Sequence, residues 1–399
     1  MKKKRGIQGT EKSAGPSGSE QTHRASGRPR KRALLAAALA LPGLGATAAK
    51  AAGNAPEVGH IGFKVLYYQD YQPSGKRMNV TAPSLQVAKT TLGDFVIEGN
   101  AIAESISGAS PLYHSTLSGA SGVGIRDRRR AGDLKLTKYF ERFAIGGGIG
   151  YSKENDYRSR FGSIDLRFFS ASKNTTVALG LAKADDTINS VNNIAINRAR
   201  DTTEYLIGLT QVLTPNDIVQ TNVTYADGTG YFSDPYKQGD SRPDSRRQIA
   251  WLTRWNHHFD SLNATLRSSY RYYRDSWKIA GHTVGTEWVQ GAGDRWFVVP
   301  SLRYTTQSKA SFYVDPPFTA INILTASSGG LTSSDQRLSA FGAIAPGIKL
   351  IKEFASGWAI DLKAEYYEQR GNWRLGGEGS PGLEPFKAQI YQLGVSTKF

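Results

Sequence analysis

The last nine residues, Tyr391-Gln392-Leu393-Gly394-Val395-Ser396-Thr397-Lys398-Phe399, constrain the fold more than any other stretch. In an extended chain successive side chains point to opposite faces. Tyr391, Leu393, Val395 and Phe399 therefore share one face with Thr397, while Gln392, Gly394, Ser396 and Lys398 take the other. An apolar alternating strand that stops on a Phe is the ending expected of a bacterial outer-membrane β-barrel. There it closes the seam and is read by the barrel-assembly machinery. Such an ending sets compartment, fold and solvent together, and leaves function open.

The opposite end carries a matching pattern. Arg24, Arg28, Arg30, Lys31 and Arg32 precede the apolar run 33–41, which Pro42 and Gly43 end. Small residues follow, with Ala46-Thr47-Ala48 or Ala49-Lys50-Ala51 as the cleavage site. Basic, then apolar, then small is the order of a secretory signal peptide. The run is shorter than the roughly 20 apolar residues of a spanning helix. Residues 1–51 are thus expected to be a polar leader with a signal peptide, and 52–399 a single barrel domain. The stretch before Arg24 is polar and Gly/Ser-rich, and no Cys follows the cleavage site to take a lipid.

Hydrophobic residues make up 39% of the chain and the mean hydropathy is −0.41, which excludes a bundle of membrane helices. A β-barrel escapes that test, because only every second strand residue meets lipid. The absence of Cys removes disulfides and thiolate chemistry. The net charge of +16 is concentrated at the start: residues 1–50 hold eleven Lys/Arg against two Asp/Glu, so +9 lies there and +7 in the rest. With no helix-turn-helix, zinc-finger or RNA-binding pattern, the basic balance does not indicate nucleic acid as a partner.

From His60 onward the dominant hydrophobic period is two. Ile61, Phe63, Val65 and Tyr67 alternate, as do Val177, Leu179 and Leu181, then Tyr205, Ile207 and Leu209. Ile249, Trp251 and Trp255 continue the pattern, and Ile360, Leu362, Ala364 and Tyr366 nearly complete it. Soluble sandwich strands average about five or six residues. Many segments here run to ten or more, the length a tilted strand needs to cross lipid. About sixteen strands are expected, with 78–89 the least regular because it holds Pro83. Tight links at 141–142, 170–174, 214–217, 260–263, 290–294 and 353–357 alternate with mostly longer ones at 108–124, 185–200, 227–245, 315–333 and 371–385. That is the pattern of short periplasmic turns and long extracellular loops. The fold class expected is all-β, a transmembrane antiparallel barrel.

Five blocks carry a resemblance. They are Ser107-Gly108-Ala109-Ser110-Pro111, Ser118-Gly119-Ala120-Ser121-Gly122, the run 148–157 from Gly148 to Tyr157, the run 303–313 from Arg303 to Tyr313, and the run 334–342 from Ser334 to Gly342. Together they resemble an uncharacterised bacterial outer-membrane β-barrel family, domain of unknown function 3570, over nearly the whole mature chain. The family's acidic residue just before the first Ser-Gly-Ala-Ser is altered or shifted here, where Glu104 and Ser105 precede Ile106. The resemblance implies fold and compartment and brings no catalytic residues.

No motif points to a cofactor or a metal. Gly146-Gly147-Gly148-Ile149-Gly150 lacks the following Lys-Ser/Thr and helix of a phosphate loop, and reads as glycines where strands pack closely. His257 and His258 are adjacent in a strand and point apart, which suits an interfacial pair and not a chelate. His23, His60, His114 and His282 lack ligand spacing. Asp133, Glu154, Asp156 and His114 are the polar groups an outer-membrane hydrolase would draw on, with nothing in the sequence to group them.

The arginines are the most suggestive polar set. The alternation puts Arg254, Arg267 and Arg271 on the non-lipid face of neighbouring strands, with Arg167 and Arg303 doing the same elsewhere. A lipid-facing Arg at the bilayer midplane costs about 2–4 kcal/mol, so the lumen is favoured. Two readings stay open: a basic wall that biases a pore toward anions, or ion pairs with Asp165, Asp361 and Glu365 that brace the interior. Arg126, Arg128, Arg129 and Arg130 follow a long loop, where they meet lipopolysaccharide phosphates or simply solvent. The aromatic segments 231–236 and 312–318 either line a constriction or hold their loops to the rim. The leading expectation is a channel or passive transporter for small polar, anionic included, solutes. The alternative is a non-conducting barrel that anchors a periplasmic or surface partner; an enzyme ranks last.

Overall fold

The computed structural model describes residues 55–399 apart from 74, 109–124, 190–196, 236, 238, 317–324 and 326–327. The signal peptide, the blocks 109–111 and 118–122, and His23 and His114 lie outside the described residues. Sixteen strands follow one another: β1 His60–Gln72, β2 Gly75–Thr91, β3 Phe95–Gly108, β4 Ile125–Tyr139, β5 Phe143–Lys153, β6 Tyr157–Phe169, β7 Thr175–Asn189 and β8 Asn197–Thr214. The second half is β9 Asp217–Gly230, β10 Ser245–Phe259, β11 Ala264–Asp275, β12 Ala280–Gly291, β13 Trp296–Gln307, β14 Phe341–Glu353, β15 Trp358–Arg370 and β16 Phe386–Lys398. Each pairs antiparallel with its chain neighbour, and β16 pairs with β1, so the sheet is a closed barrel.

Closure runs the full length of the seam, from His60 opposite Lys398 to Tyr71 opposite Lys387. Phe399 extends it by one step. Its N–H donates to the Gly59 carbonyl at 3.0 Å and its carbonyl accepts from Gly59 N–H at 2.7 Å. The Phe399 ring lies where a Cβ on residue 59 would stand, so Gly59 makes room for the terminal side chain. Tyr391, Leu393 and Phe399 are exposed on the outward face, and Val395 shares that face.

The period-two pattern decides which side chains turn out. Among the most exposed large apolar residues are Ile149, Ile164, Ile207, Val284 and Leu362, all outward. On the same strands Ser163, Asp165, Glu204, Thr283 and Asp361 turn inward. Strands run from 11 to 18 residues, the upper end in β8.

Prolines leave a legible mark. Pro83, Pro300 and Pro346 each sit inside a strand, and each keeps its ladder on one side while the ladder on the other side skips its position. A residue without N–H supports pairing on one flank only. The expected weak strand therefore forms in full, from Gly75 to Thr91, with a local gap.

One barrel end carries the chain termini and the tight links 92–94, 140–142, 170–174, 215–216, 260–263, 292–295 and 354–357. The other end carries every long connection, including 231–244, 308–340 and 371–385. It also carries three short links not anticipated from the sequence, 73–74, 154–156 and 276–279. The connection expected at 185–200 narrows to 190–196, because β7 and β8 pair out to Asn189 opposite Asn197.

The glycine run on β5 resolves into two faces. Gly146, Gly148 and Gly150 turn inward, and neighbouring side chains lie across them: Asp165 and Lys135 over Gly146, Ser163 over Gly148, the Phe161 ring over Gly150. This lets Lys135 of β4 pair with Asp165 of β6 across the intervening strand. Gly147 is outward, with nothing closer than a carbonyl at 3.9 Å. Gly150→Ala should cost about 1–3 kcal/mol by overpacking the Phe161 ring, while Gly147→Ala should be near neutral. Urea unfolding of the lipid-reconstituted barrel, followed by heat-modifiable gel mobility, measures both.

Candidate functional site: the barrel interior and its loop cap

The inward face is heavily charged, and most of the charge is paired. Arg129 meets Glu104 at 3.3 Å, and Arg303 meets Glu365 at 2.6 Å. Arg246 meets Asp275 at 2.6 Å, and Arg200 Nε donates to Asp186 at 3.0 Å. Arg167 pairs with Asp165 at 3.2 Å and donates to the Tyr139 hydroxyl at 2.9 Å, with its plane over the Tyr139 ring. Lys363 joins Glu365 at 2.8 Å, and Asp361 is met by Lys349 at 3.7 Å and by the Gln392 amide at 3.2 Å. Arg167, Arg303, Asp165, Asp361 and Glu365 thus sit in bracing pairs.

The three arginines grouped by the sequence behave differently from one another. They are brought together: Asn256 on β10 stands opposite Arg267, Arg254 opposite Ser269, and Leu252 opposite Arg271. Arg267 reaches Glu287 of β12 at 3.7 Å, in a pair of which both members are well exposed. Arg254 and Arg271 have no carboxylate within ion-pair distance among the described residues. Arg271 lies over the Tyr273 ring at 5.1 Å. Arg254 Nη1 is buried without a hydrogen-bond partner among the described residues, as is Nδ2 of Asn222, which stands opposite Leu252 on β9. Among the described residues Lys64, Glu98 and Glu204 likewise make no ion pair, and Asp133 accepts from Asn100 at 2.8 Å. Charge on the described wall is near balance, and two of its unpaired arginines, Arg254 and Arg271, stand together on β10 and β11.

The interior is open on one side. Glu287 and Arg303 point inward from β12 and β13, yet about half of each side chain is solvent-exposed, at 51% and 48%. Inward groups on β4 to β6 lie flat against the glycine face and are largely covered.

At the long-loop end the connections pack on each other. Trp277, Ile279, Ala310, Phe312, Tyr313 and Leu338 form a buried apolar cluster, with Phe232 and Tyr273 against it. Phe232 and Phe312 meet the Trp277 ring edge-on at 5.6 and 5.2 Å. Asp275 organises the 276–279 link: one carboxylate oxygen accepts from the backbone N–H groups of Trp277 and Ile279 at 3.0 and 2.9 Å, the other from Arg246 and Tyr273. A buried ionic knot ties 231–244 to 308–340. Arg242 bonds Asp240 and Asp335, each at 2.8 Å, and Arg337 pairs with Asp335 as well; both aspartates are fully buried.

This cap leans over the mouth. The inward side chains Arg246, Tyr273 and Gln307 all contact it, Arg246 lying 4.1 Å from the centre of the Trp277 ring and Gln307 donating to the carbonyls of Arg337 and Ser339. The aromatics of 231–236 and 312–318 that are described serve to hold the loops together, because Phe312 and Tyr313 are buried in their own cluster. Tyr236, Pro317 and Phe318 lie outside the described residues.

The structure also groups what the sequence left scattered. Asp127, Glu154 and Asp156 each bring a carboxylate oxygen within 4.8 Å of the others at the 154–156 link, all three buried. Each has further polar interactions. Asp133 stands apart on β4. The histidine pair divides as expected: His257 bonds Asp217 at 2.8 Å between Trp255 and Phe259, and His258 bonds Thr265 at 2.9 Å. The missed features, Asp275 at the end of β11 and the loop residues Trp277, Arg242 and Asp335, include partnerships that span 29 to 93 positions; only their clustering in space distinguishes them.

Burial alone would raise the Asp335 carboxyl, but Arg337, Arg242 and Lys237 more than offset it and hold it well below the carboxylate range. A depressed folded pKa gives stability that is full above the unfolded value of about 3.9 and is lost only as pH falls through the lower folded value. Hydrogen-exchange protection of 332–339, corrected for intrinsic rate, should therefore be the same at pH 7 and at mildly acidic pH. Asp335→Ala leaves the buried Arg242 with Asp240 alone and the one-third-exposed Arg337 without its carboxylate, a loss of about 3 kcal/mol. Trypsin should then cut after Arg337 at least tenfold faster, with barrel gel mobility unchanged.

No protein of curated function matches the chain. Among solved structures, it is similar to the siderophore receptor PirA from Pseudomonas aeruginosa, at 8% identity and TM-score 0.44, over 87% of this chain and 81% of that one. A bacterial polysaccharide outer membrane secretin matches at 8% identity and TM-score 0.47, over 86% and 98%. OccK2 (OpdF) from Pseudomonas aeruginosa, solved in complex with glucuronate, matches at 10% identity and TM-score 0.44, over 87% and 100%. These likenesses assign nothing to this chain. A family model matches residues 31–199 and 192–390, and the chain belongs to the family described as protein of unknown function (DUF3570).

Proposed function

We infer that this barrel is inserted in the bacterial outer membrane and works as a channel or passive transporter for small polar solutes. The observation that carries the reading is the division of its two faces. The outward face is a belt of exposed Ile, Leu, Val and aromatic residues, and the inward face holds charged groups half open to solvent, Arg303 and Glu287 among them. Apolar exposure on that scale needs lipid, and a sixteen-strand barrel has room for an aqueous path. In this orientation the tight links face the periplasm and the cap faces outward. The Tyr391, Leu393, Val395 and Phe399 face then also serves as the assembly signal, and residues 1–51 as leader and signal peptide.

Selectivity is expected to be weak and toward anions. Arg167 and Arg303 are neutralised by their partners, so the bias falls to Arg254 and Arg271. In planar bilayers the folded protein should give discrete conductance steps that scale with salt. Reversal potential in a KCl gradient should report a modest anion preference. Arg254→Gln with Arg271→Gln should shift it toward cations, while Arg303→Gln should change it little. Unchanged selectivity in the double variant would return the two arginines to a bracing role.

The cap favours a second reading, a non-conducting barrel that anchors a periplasmic or surface partner, because its buried cluster rests on the inward faces of β10, β11 and β13. Silent bilayers with wild-type protein and discrete steps with Asp335→Ala would support that reading over the channel.

A further inference from the structure

The strand register assembles a basic patch that no single segment of the sequence displays. Arg130 of β4 stands opposite Lys153 of β5, and Lys153 stands opposite Arg158 of β6. Three cations therefore line up in one row across three hydrogen-bonded strands. Arg128 and Arg160 lie one outward position away on β4 and β6. All five side chains are exposed and outward, and none makes an ion pair among the described residues. Like charges directly opposite each other on a sheet face destabilise it, so this row is an arrangement that an external anion would relieve. The acids nearby do not relieve it. Asp127 turns to the inward face, and Glu154 and Asp156 are buried at the link; Asp185 of β7 stands opposite Arg160, outside the row, and is met by Lys183 at 3.8 Å, while the row itself faces Thr187.

Toward the middle of the barrel the same outward face becomes apolar. Tyr151, Leu134, Ile149 and Ile164 are all exposed there, Ile149 at 67%. The patch thus presents cations at the long-loop rim directly above a greasy wall. That is the complement of an amphiphile with anionic phosphates on its headgroup and acyl chains below them.

We propose that Arg128, Arg130, Lys153, Arg158 and Arg160 form a binding site for the phosphorylated headgroup of the outer-leaflet glycolipid, lipopolysaccharide, whose acyl chains cover Ile149, Leu134 and Ile164. The site rests on the outer-membrane reading of the barrel and is independent of whether the lumen conducts. Its contacts are charge-assisted hydrogen bonds to phosphate oxygens, so binding falls as salt rises.

The test is native mass spectrometry of the full-length barrel in neutral detergent, titrated with bisphosphorylated lipid A. Wild type should bind it at least tenfold more tightly than dephosphorylated lipid A or phosphatidylglycerol. Changing all five cations to Gln should weaken lipid A at least tenfold. The milder pair Arg158→Gln with Arg160→Gln should give a smaller loss, should the fivefold variant fail to fold. Removing three exposed outward cations elsewhere on the rim, Lys76→Gln, Arg247→Gln and Arg274→Gln, should leave binding unchanged. Equal binding by the milder pair, by the dephosphorylated lipid or by phosphatidylglycerol would overturn the proposal. So would full competition by millimolar inorganic phosphate, which would mean an adventitious anion only. Heat-modifiable mobility and β-rich circular dichroism on each sample separate loss of the site from loss of the barrel.

Discussion

Everything in this structure depends on the seam between β1 and β16. A strand has donors and acceptors on both flanks, and a sheet satisfies all of them only when it has no edge. Pairing from His60–Lys398 to Tyr71–Lys387, extended by the Gly59–Phe399 bonds, removes the last edge. Once the sheet is closed, the chain has an inside and an outside, and every side chain belongs to one of them by parity. The aliphatic belt, the lumen charges and the rim cations are all consequences of that assignment.

The interior shows how a polar wall is kept stable. Charges turned inward are matched across strands: Arg129 with Glu104, Arg200 with Asp186, Arg303 with Glu365. On β5 glycines allow the matching to skip a strand, so Lys135 and Asp165 meet over Gly146. Pairing removes the field of most cations, which is why a count of lumen arginines overstates any selectivity. What matters is which ones keep their charge uncompensated, and Arg254 and Arg271 do so side by side on one arc of the wall.

The cap obeys a different physics. Loops at the long-loop end cannot borrow stability from the strand ladder, so they build their own core around Trp277 and Phe312. Their ionic knot buries Asp335 and Arg242 and leaves Arg337 partly exposed, and such a knot is stable only while its buried members are present. Its contacts with Arg246, Tyr273 and Gln307 couple the cap to the inward wall.

Much of this barrel was written locally. Period-two alternation, the terminal Phe399 strand, the tight links and the inward parity of Arg167, Arg254, Arg267, Arg271 and Arg303 follow from nearest-neighbour geometry, since successive strand residues must face opposite ways. The strand with Pro83 was harder to read, because a proline removes one ladder bond and leaves the other flank intact. Partner choice was not legible at all. Arg303 with Glu365, the loop knot, the buried group of Asp127, Glu154 and Asp156, and the Arg130–Lys153–Arg158 row depend on register between strands and on loop packing. Those are settled only when the sheet closes, because register and loop packing bring together residues on different strands and loops, some of them tens of positions apart in the chain.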